Sequence, residues 1–131
     1  MTIAKAAAGG LLALVLAGCN TVEHRRTTVN KPVVADSMAM YTQGSCWAWE
    51  TPQVSLGTAP AHGRVSHTLV KTRLNEPGSR CHEQPVEARV SIYTPNPGFR
   101  GQDRFSLNYE GIWNDAGARA SISRDIVVDV Q

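Results

Sequence analysis

Apolar and polar residues alternate with period two over several short stretches of this chain. In "VEARVSIY", Val86, Ala88, Val90 and Ile92 fall on one face and Glu87, Arg89 and Ser91 on the other, which predicts a half-buried strand. "DRFSLNYE" repeats the pattern, with Phe105, Leu107 and Tyr109 inward and Arg104, Ser106 and Asn108 outward. "RVSHTLV" groups Val65, His67 and Leu69, and "QVSLG" reads as a short strand between Pro52 and the "TAPAHG" turn. After the "WNDAGA" turn, Ala118, Ala120, Ile122, Ile126, Val128 and Val130 share one face of a last strand. Arg124 falls on that face too, which predicts a β-bulge or an edge position where the guanidinium reaches water. Leu74–Pro85, "LNEPGSRCHEQP", is dense in Pro, Gly and polar residues and reads as a loop. Short alternating strands between Gly/Pro turns predict an all-β fold, an antiparallel sandwich.

Between two of these strands lies "TPNPGFRGQD". Pro95 and Pro97 fix their own φ and push the preceding residues to extended forms, while Gly98 and Gly101 permit turns that side chains resist. Asp103 is expected to bond nearby backbone N–H groups and close the turn. The segment therefore reads as a rigid corner between Val86–Tyr93 and Arg104–Glu110, with a structural task.

The first residues add an address. Lys5 and the amino terminus precede the apolar run Ala6–Leu16, which is too short to span a bilayer permanently. The run ends in Leu16-Ala17-Gly18-Cys19, which resembles the bacterial lipobox. That resemblance implies cleavage after Gly18 and a diacylglyceryl thioether plus an N-acyl chain on Cys19, which together anchor far more firmly than one chain. Asn20, in place of the Asp that favours inner-membrane retention, points to the outer membrane of a Gram-negative cell, with the domain in the periplasm or at the cell surface. Residues 1–18 then form a signal peptide, 19–43 an anchor and flexible tether with a possible short strand at Val33–Val34, and 44–131 the domain.

Charge and cysteines narrow the class. Of 13 basic and 11 acidic residues, removing the signal takes away Lys5 alone, leaving 12 and 11 of mixed sign. That balance carries no electrostatic footprint for nucleic acid. With Cys19 assigned to lipid, Cys46 and Cys81 remain as an even pair in an oxidising compartment. A metal site would need CxxC or HxxxH partners that the chain lacks, so a disulfide is expected.

"YTPNPGFRGQDRFSLNY" resembles the signature of bacterial Ig-like, cadherin-like repeats, and "PAHGRV", upstream, resembles their second motif. The positions that match are Pro60, His62, Gly63, Tyr93, Pro95, Pro97, Gly98, Phe99, Gly101, Asp103 and Phe105. The resemblance covers roughly residues 50–131 and implies an Ig-like sandwich. It departs from the pattern in having one copy, two added cysteines and no Asp-rich calcium linker.

Catalytic chemistry has little support. His24, His62, His67 and His82 show no metal-ligand spacing, no GxSxG occurs, and carboxylates such as Glu50, Glu110 and Asp115 are scattered. No metal or cofactor is expected beyond the covalent lipid. Trp47 and Trp49 are expected on one face of a strand, with Trp113 near a following turn. They could form a contact platform, although capping of the core beside the disulfide is the favoured expectation. The reading is a non-catalytic envelope lipoprotein, membrane-bound through its anchor, that binds an envelope protein through sheet edges or the tryptophans. The alternatives are a lysozyme-type hydrolase inhibitor acting through Asn75–Gln84, and a glycan or peptidoglycan binder acting through the tryptophans.

Overall fold

Seven strands arise from the alternating runs in the computed structural model, which describes residues 21–131; the signal, Cys19 and Asn20 lie outside the described residues. They are β1 (Val22–Thr27), β2 (Val33–Met38), β3 (Gln53–Leu56), β4 (Gly63–Arg73), β5 (Pro85–Pro95), β6 (Gly101–Ile112) and β7 (Arg119–Val130). They form two sheets, β1-β7-β6-β3 and β2-β5-β4. All pairings are antiparallel except β1 with β7. The chain crosses between sheets at every connection except the β4–β5 and β6–β7 hairpins, as in an immunoglobulin-like sandwich, with the first strand lying parallel beside the last. Phe105, Leu107 and Tyr109 of β6 meet Ile126, Val128 and Val130 of β7 and Tyr93, Ala35 and Met38 of the other sheet in one buried core.

The segment expected to be a flexible tether instead supplies β1 and β2. β1 lacks apolar alternation because its half-buried positions include Glu23 and Arg25. Those charges are met inside the fold. Arg25 lies 3.2 Å from Glu23 and 4.0 Å from Asp36, and Arg124 lies 3.7 Å from Glu23 and 4.0 Å from Asp36. Arg124 thus sits on the apolar face without a bulge, and its side chain keeps 29% exposure. The β6–β7 register runs unbroken from Gly101↔Val130 to Ile112↔Arg119, while β1 pairs with β7 only from Val22↔Asp125 onward, so at Arg124 the strand is flanked by β6 alone. Opposite charge from β1 and β2, brought from outside its own strand pair, accommodates the guanidinium.

β5 corrects a second expectation. Its face towards the other sheet carries Ser91 and Tyr93, which bond Tyr109 and Asp103 of β6, and Arg89, whose Nε donates to the Pro52 carbonyl. Val86 and Ala88 are buried on the opposite face, and Val86 packs with Leu74 and Cys81 in a second, smaller cluster beneath the loop. The phase is reversed because β5 is covered on both faces, by the main core and by the disulfide loop. Cys46 and Cys81 are bridged, with Cα atoms 5.3 Å apart across a separation of 35 residues.

The motif residues assemble at the end where β4 and β6 begin and β5 ends. Asp103 is buried. Its carboxylate accepts from the backbone N–H of Ala61 (3.0 Å) and His62 (2.9 Å), the Tyr93 hydroxyl (2.8 Å) and the N–H of Arg104 (2.9 Å). Only the last of these is local, so Asp103 joins two sheets rather than closing its own turn. Pro60 leads into the turn that offers the two N–H groups. Gly63 follows it, and a Cβ there would fall 2.5 Å from the Tyr93 ring. His62 stacks on Phe99 at 4.3 Å, and Tyr93 stacks on Phe105 at 5.7 Å. The Asn96 N–H donates to the His62 carbonyl at 2.8 Å, joining the corner to the turn. Pro95 and Pro97 bracket that asparagine. Gly98 (φ +77°) and Gly101 (φ +125°) take conformations that a side chain resists.

The disulfide pins two loops of a small core, so its removal has a defined cost. Replacing Cys46 and Cys81 with Ser should lower the unfolding free energy by about 4 kcal/mol, as the chain-entropy account gives for such a loop. Urea unfolding of the oxidised protein and the double variant measures this, and equal midpoints would refute it.

Candidate functional site

The opposite end of the sandwich carries the tryptophans. Trp47 and Trp49 lie in the connection between β2 and β3, not on a strand. A tight turn fixes this connection. The Cys46 N–H donates to the Thr42 carbonyl at 2.8 Å, and the Thr42 N–H donates to the Trp47 carbonyl at 2.9 Å. Thr42, itself buried, shares a hydrogen bond with Ser45, whose hydroxyl donates to Asp115 in the β6–β7 turn. The disulfide ties the same turn to the Leu74–Pro85 loop.

With its backbone held this way, the connection turns its rings outward. Trp47, Trp49 and Trp113 are 63%, 51% and 56% exposed. They do not cap the core. Their places among the buried side chains are taken by Met38, Met40 and the Leu74–Cys81–Val86 cluster.

The three rings border two hollows rather than one platform. A cavity of about 520 Å³ is lined by Trp47, Trp49, Glu50, Lys71, Thr72 and Glu87, among others. A second, of about 470 Å³, is lined by Tyr41, Trp113, Glu76 and Asp115 over Met38, Met40 and Ile122. Burial and then the Glu76 carboxylate push the Tyr41 hydroxyl up to about 12, so it stays protonated. Hydrogen bonds from Ser45 and Thr42 hold Asp115 below the usual carboxylate value. Sequence reading missed Tyr41, Lys71, Thr72 and Glu76, because loop connections rather than spacing bring them to the hollows.

The histidines lie apart. His24 is on β1, and His62 is in the motif turn. His67 Nδ1 is 2.9 Å from Ser91 Oγ, and His82 Nδ1 accepts from the Glu76 N–H at 3.1 Å. Among the described residues, no three His, Cys, Asp or Glu side chains gather as a metal site. Glu50 pairs with Arg119 at 3.2 Å, and Asp115 is committed to Ser45. The Asn75–Gln84 loop is closed at its base, where the Leu74 N–H donates to the Gln84 carbonyl at 2.9 Å and the Glu83 N–H donates to the Leu74 carbonyl at 2.9 Å.

No protein-family model matches the chain. No curated protein matches it either. Among solved structures, the solution structure of Amebosin aligns over 86% of this chain and 90% of that one, at 14% identity and a TM-score of 0.37. A likeness at that level carries no argument about this chain.

Partial burial, and then the Arg89 guanidinium, hold the His67 imidazole below its usual value of 6.5. The fold therefore favours the neutral ring. Its contribution to stability is present above about pH 6.5 and is lost as pH falls through that value towards the lower folded pKa. NMR titration of the ring should give a midpoint below 6.5, and a midpoint at or above it would contradict the assignment.

Proposed function

We propose that this chain is a lipid-anchored cell-envelope protein whose sandwich domain binds a protein partner without catalysis. One observation carries the reading: three tryptophans stand exposed at one end of the domain, on loops that a disulfide and a buried threonine hold in place. Exposed aromatic rings on a pre-ordered backbone suit an interface, because little conformational entropy is lost when they are covered. The lipobox resemblance supplies the location, with Cys19 as the lipidated residue. Three peptide steps separate Cys19 from the first residue of β1, a reach of at most about 11 Å. The anchor therefore holds the sandwich close to the bilayer, and its partner is membrane-proximal.

Glycan binding is the second reading. It is favoured by the Trp47/Trp49 hollow, whose rim offers Glu50, Lys71 and Glu87 beside two indole rings.

Crosslinking and affinity capture of the lipidated protein from its native membranes tests the first reading, with Trp47→Ala/Trp49→Ala as control. Because both rings are exposed, the variant should fold and lose its envelope partner, with affinity falling by about thirtyfold or more, the scale of an interface hot spot. Equal capture by both forms would remove the two tryptophans from the interface. Failure of both to capture any protein, together with quenching of tryptophan emission by peptidoglycan fragments, would favour the glycan reading.

A further inference from the structure

β4 is an edge strand of 11 residues, paired on one side only, with β5. Its register with β5 runs without a bulge from Gly63↔Pro95 to Arg73↔Pro85. Among the described residues, no backbone hydrogen bond outside the β4–β5 ladder reaches Arg64–Arg73. From Ser66 to Arg73 every residue is exposed, on both faces of the strand. Leu69 and Val70 are 46% and 41% exposed. Across the gap between the sheets, Leu56 of β3 is exposed as well. A long, regular, unbulged edge of this kind is the template on which an extended chain adds a strand.

Charge selects the occupant. β4 carries Arg64, Lys71 and Arg73 and no carboxylate. Among the described residues, no carboxylate oxygen lies within 4.0 Å of their charged nitrogens. Pairing with a second copy of β4 would double the cations on one ribbon and neutralise none, which opposes self-association. An acidic strand does the reverse. The edge also has a definite end, since Lys71 and Thr72 line the hollow walled by Trp47 and Trp49. Pro85, Val86 and Glu87 of β5 line it too, so it lies over the end of the β4–β5 pair, next to the free edge.

We propose that β4 is the docking edge for an extended acidic segment of a partner protein. The segment adds as a fourth strand to the β2-β5-β4 sheet and places a bulky apolar side chain between Trp47 and Trp49. This inference rests on the protein-binding reading and names the chemistry of its partner. Backbone pairing supplies affinity, while Arg64, Lys71, Arg73 and the indole hollow supply selection.

Two blocked decapeptides test it, one alternating Asp with Val and ending in Phe, the other with Lys replacing each Asp. The full-length protein should bind the acidic peptide at low salt, with a change in tryptophan emission and slowed hydrogen exchange at alternate β4 amides. It should bind the basic peptide at least about tenfold more weakly. Arg64→Glu/Lys71→Glu, at exposed positions without ion-pair partners, should invert that preference, and the gain of basic-peptide binding certifies that the variant is folded. Equal binding of both peptides, retention of the acidic preference by the variant, or exchange protection elsewhere than β4 would overturn the proposal. Loss of acidic-peptide binding alongside a captured envelope partner that depends on Trp47 and Trp49 would overturn the edge and leave the interaction reading standing.

Discussion

Asp103 is the joint on which this sandwich depends. A carboxylate on β6 is taken out of water and given four donors, three of which come from the facing sheet or the turn that enters it. A buried charge is tolerable only when it is bonded in this way, and removing its partners leaves a costly orphan. The surrounding choices serve that geometry. Gly63 lets the Tyr93 ring lie against the turn, and the Pro-Asn-Pro-Gly corner carries the chain from one sheet to the other so that Asp103 arrives beneath the two N–H groups. Burial and then the neighbouring carboxylate raise the Tyr93 hydroxyl well above its usual value, so it remains a donor.

With one end fixed so firmly, the other end is free to vary. It holds the disulfide, the long connections and the exposed tryptophans, which are parts that can change without disturbing how the sheets meet. The bridge there offsets the thinness of the local core, which consists of Leu74, Cys81 and Val86 with Ala39, Tyr41 and Cys46 around them. Loops on a rigid scaffold are where binding surfaces arise most readily. β4 belongs to both regions, since it starts in the Asp103 turn and finishes at the tryptophan hollow.

Period two made β3 through β7 legible as strands, although in β4 the expected inward face of Val65, His67 and Leu69 is half-buried at Val65 alone and Ser66–Arg73 is exposed on both faces. β1 escaped because two of its half-buried side chains are charged, and their neutralisation comes from Asp36 and Arg124 on other strands. β2 was visible only as Val33–Val34, since a register shift between Val34 and Asp36 breaks its alternation. For β5 the apolar positions were seen but set on the wrong face, because a strand covered from both sides offers two apolar phases. The roles of the motif residues were half legible. Their turn-forming chemistry follows from residue type, whereas the long-range partners of Asp103 depend on a sheet pairing that no local pattern encodes. The exposure of Trp47, Trp49 and Trp113 was not legible at all, since bulk and apolarity in a sequence read equally as core or as contact surface.

The most direct test of the account is the coupling between Asp103 and Tyr93, measured by a double-mutant cycle of Asp103→Ala and Tyr93→Phe on urea unfolding. If the carboxylate joins the sheets, Asp103→Ala should cost about 3–5 kcal/mol, because the Ala61 and His62 N–H groups and the Tyr93 hydroxyl lose their acceptor at about 1–3 kcal/mol each. The double variant should then be more stable than the sum of the single losses allows, by about 1–3 kcal/mol. Additive losses, or an Asp103→Ala variant as stable as the parent, would contradict the claim that this carboxylate holds the two halves of the fold together.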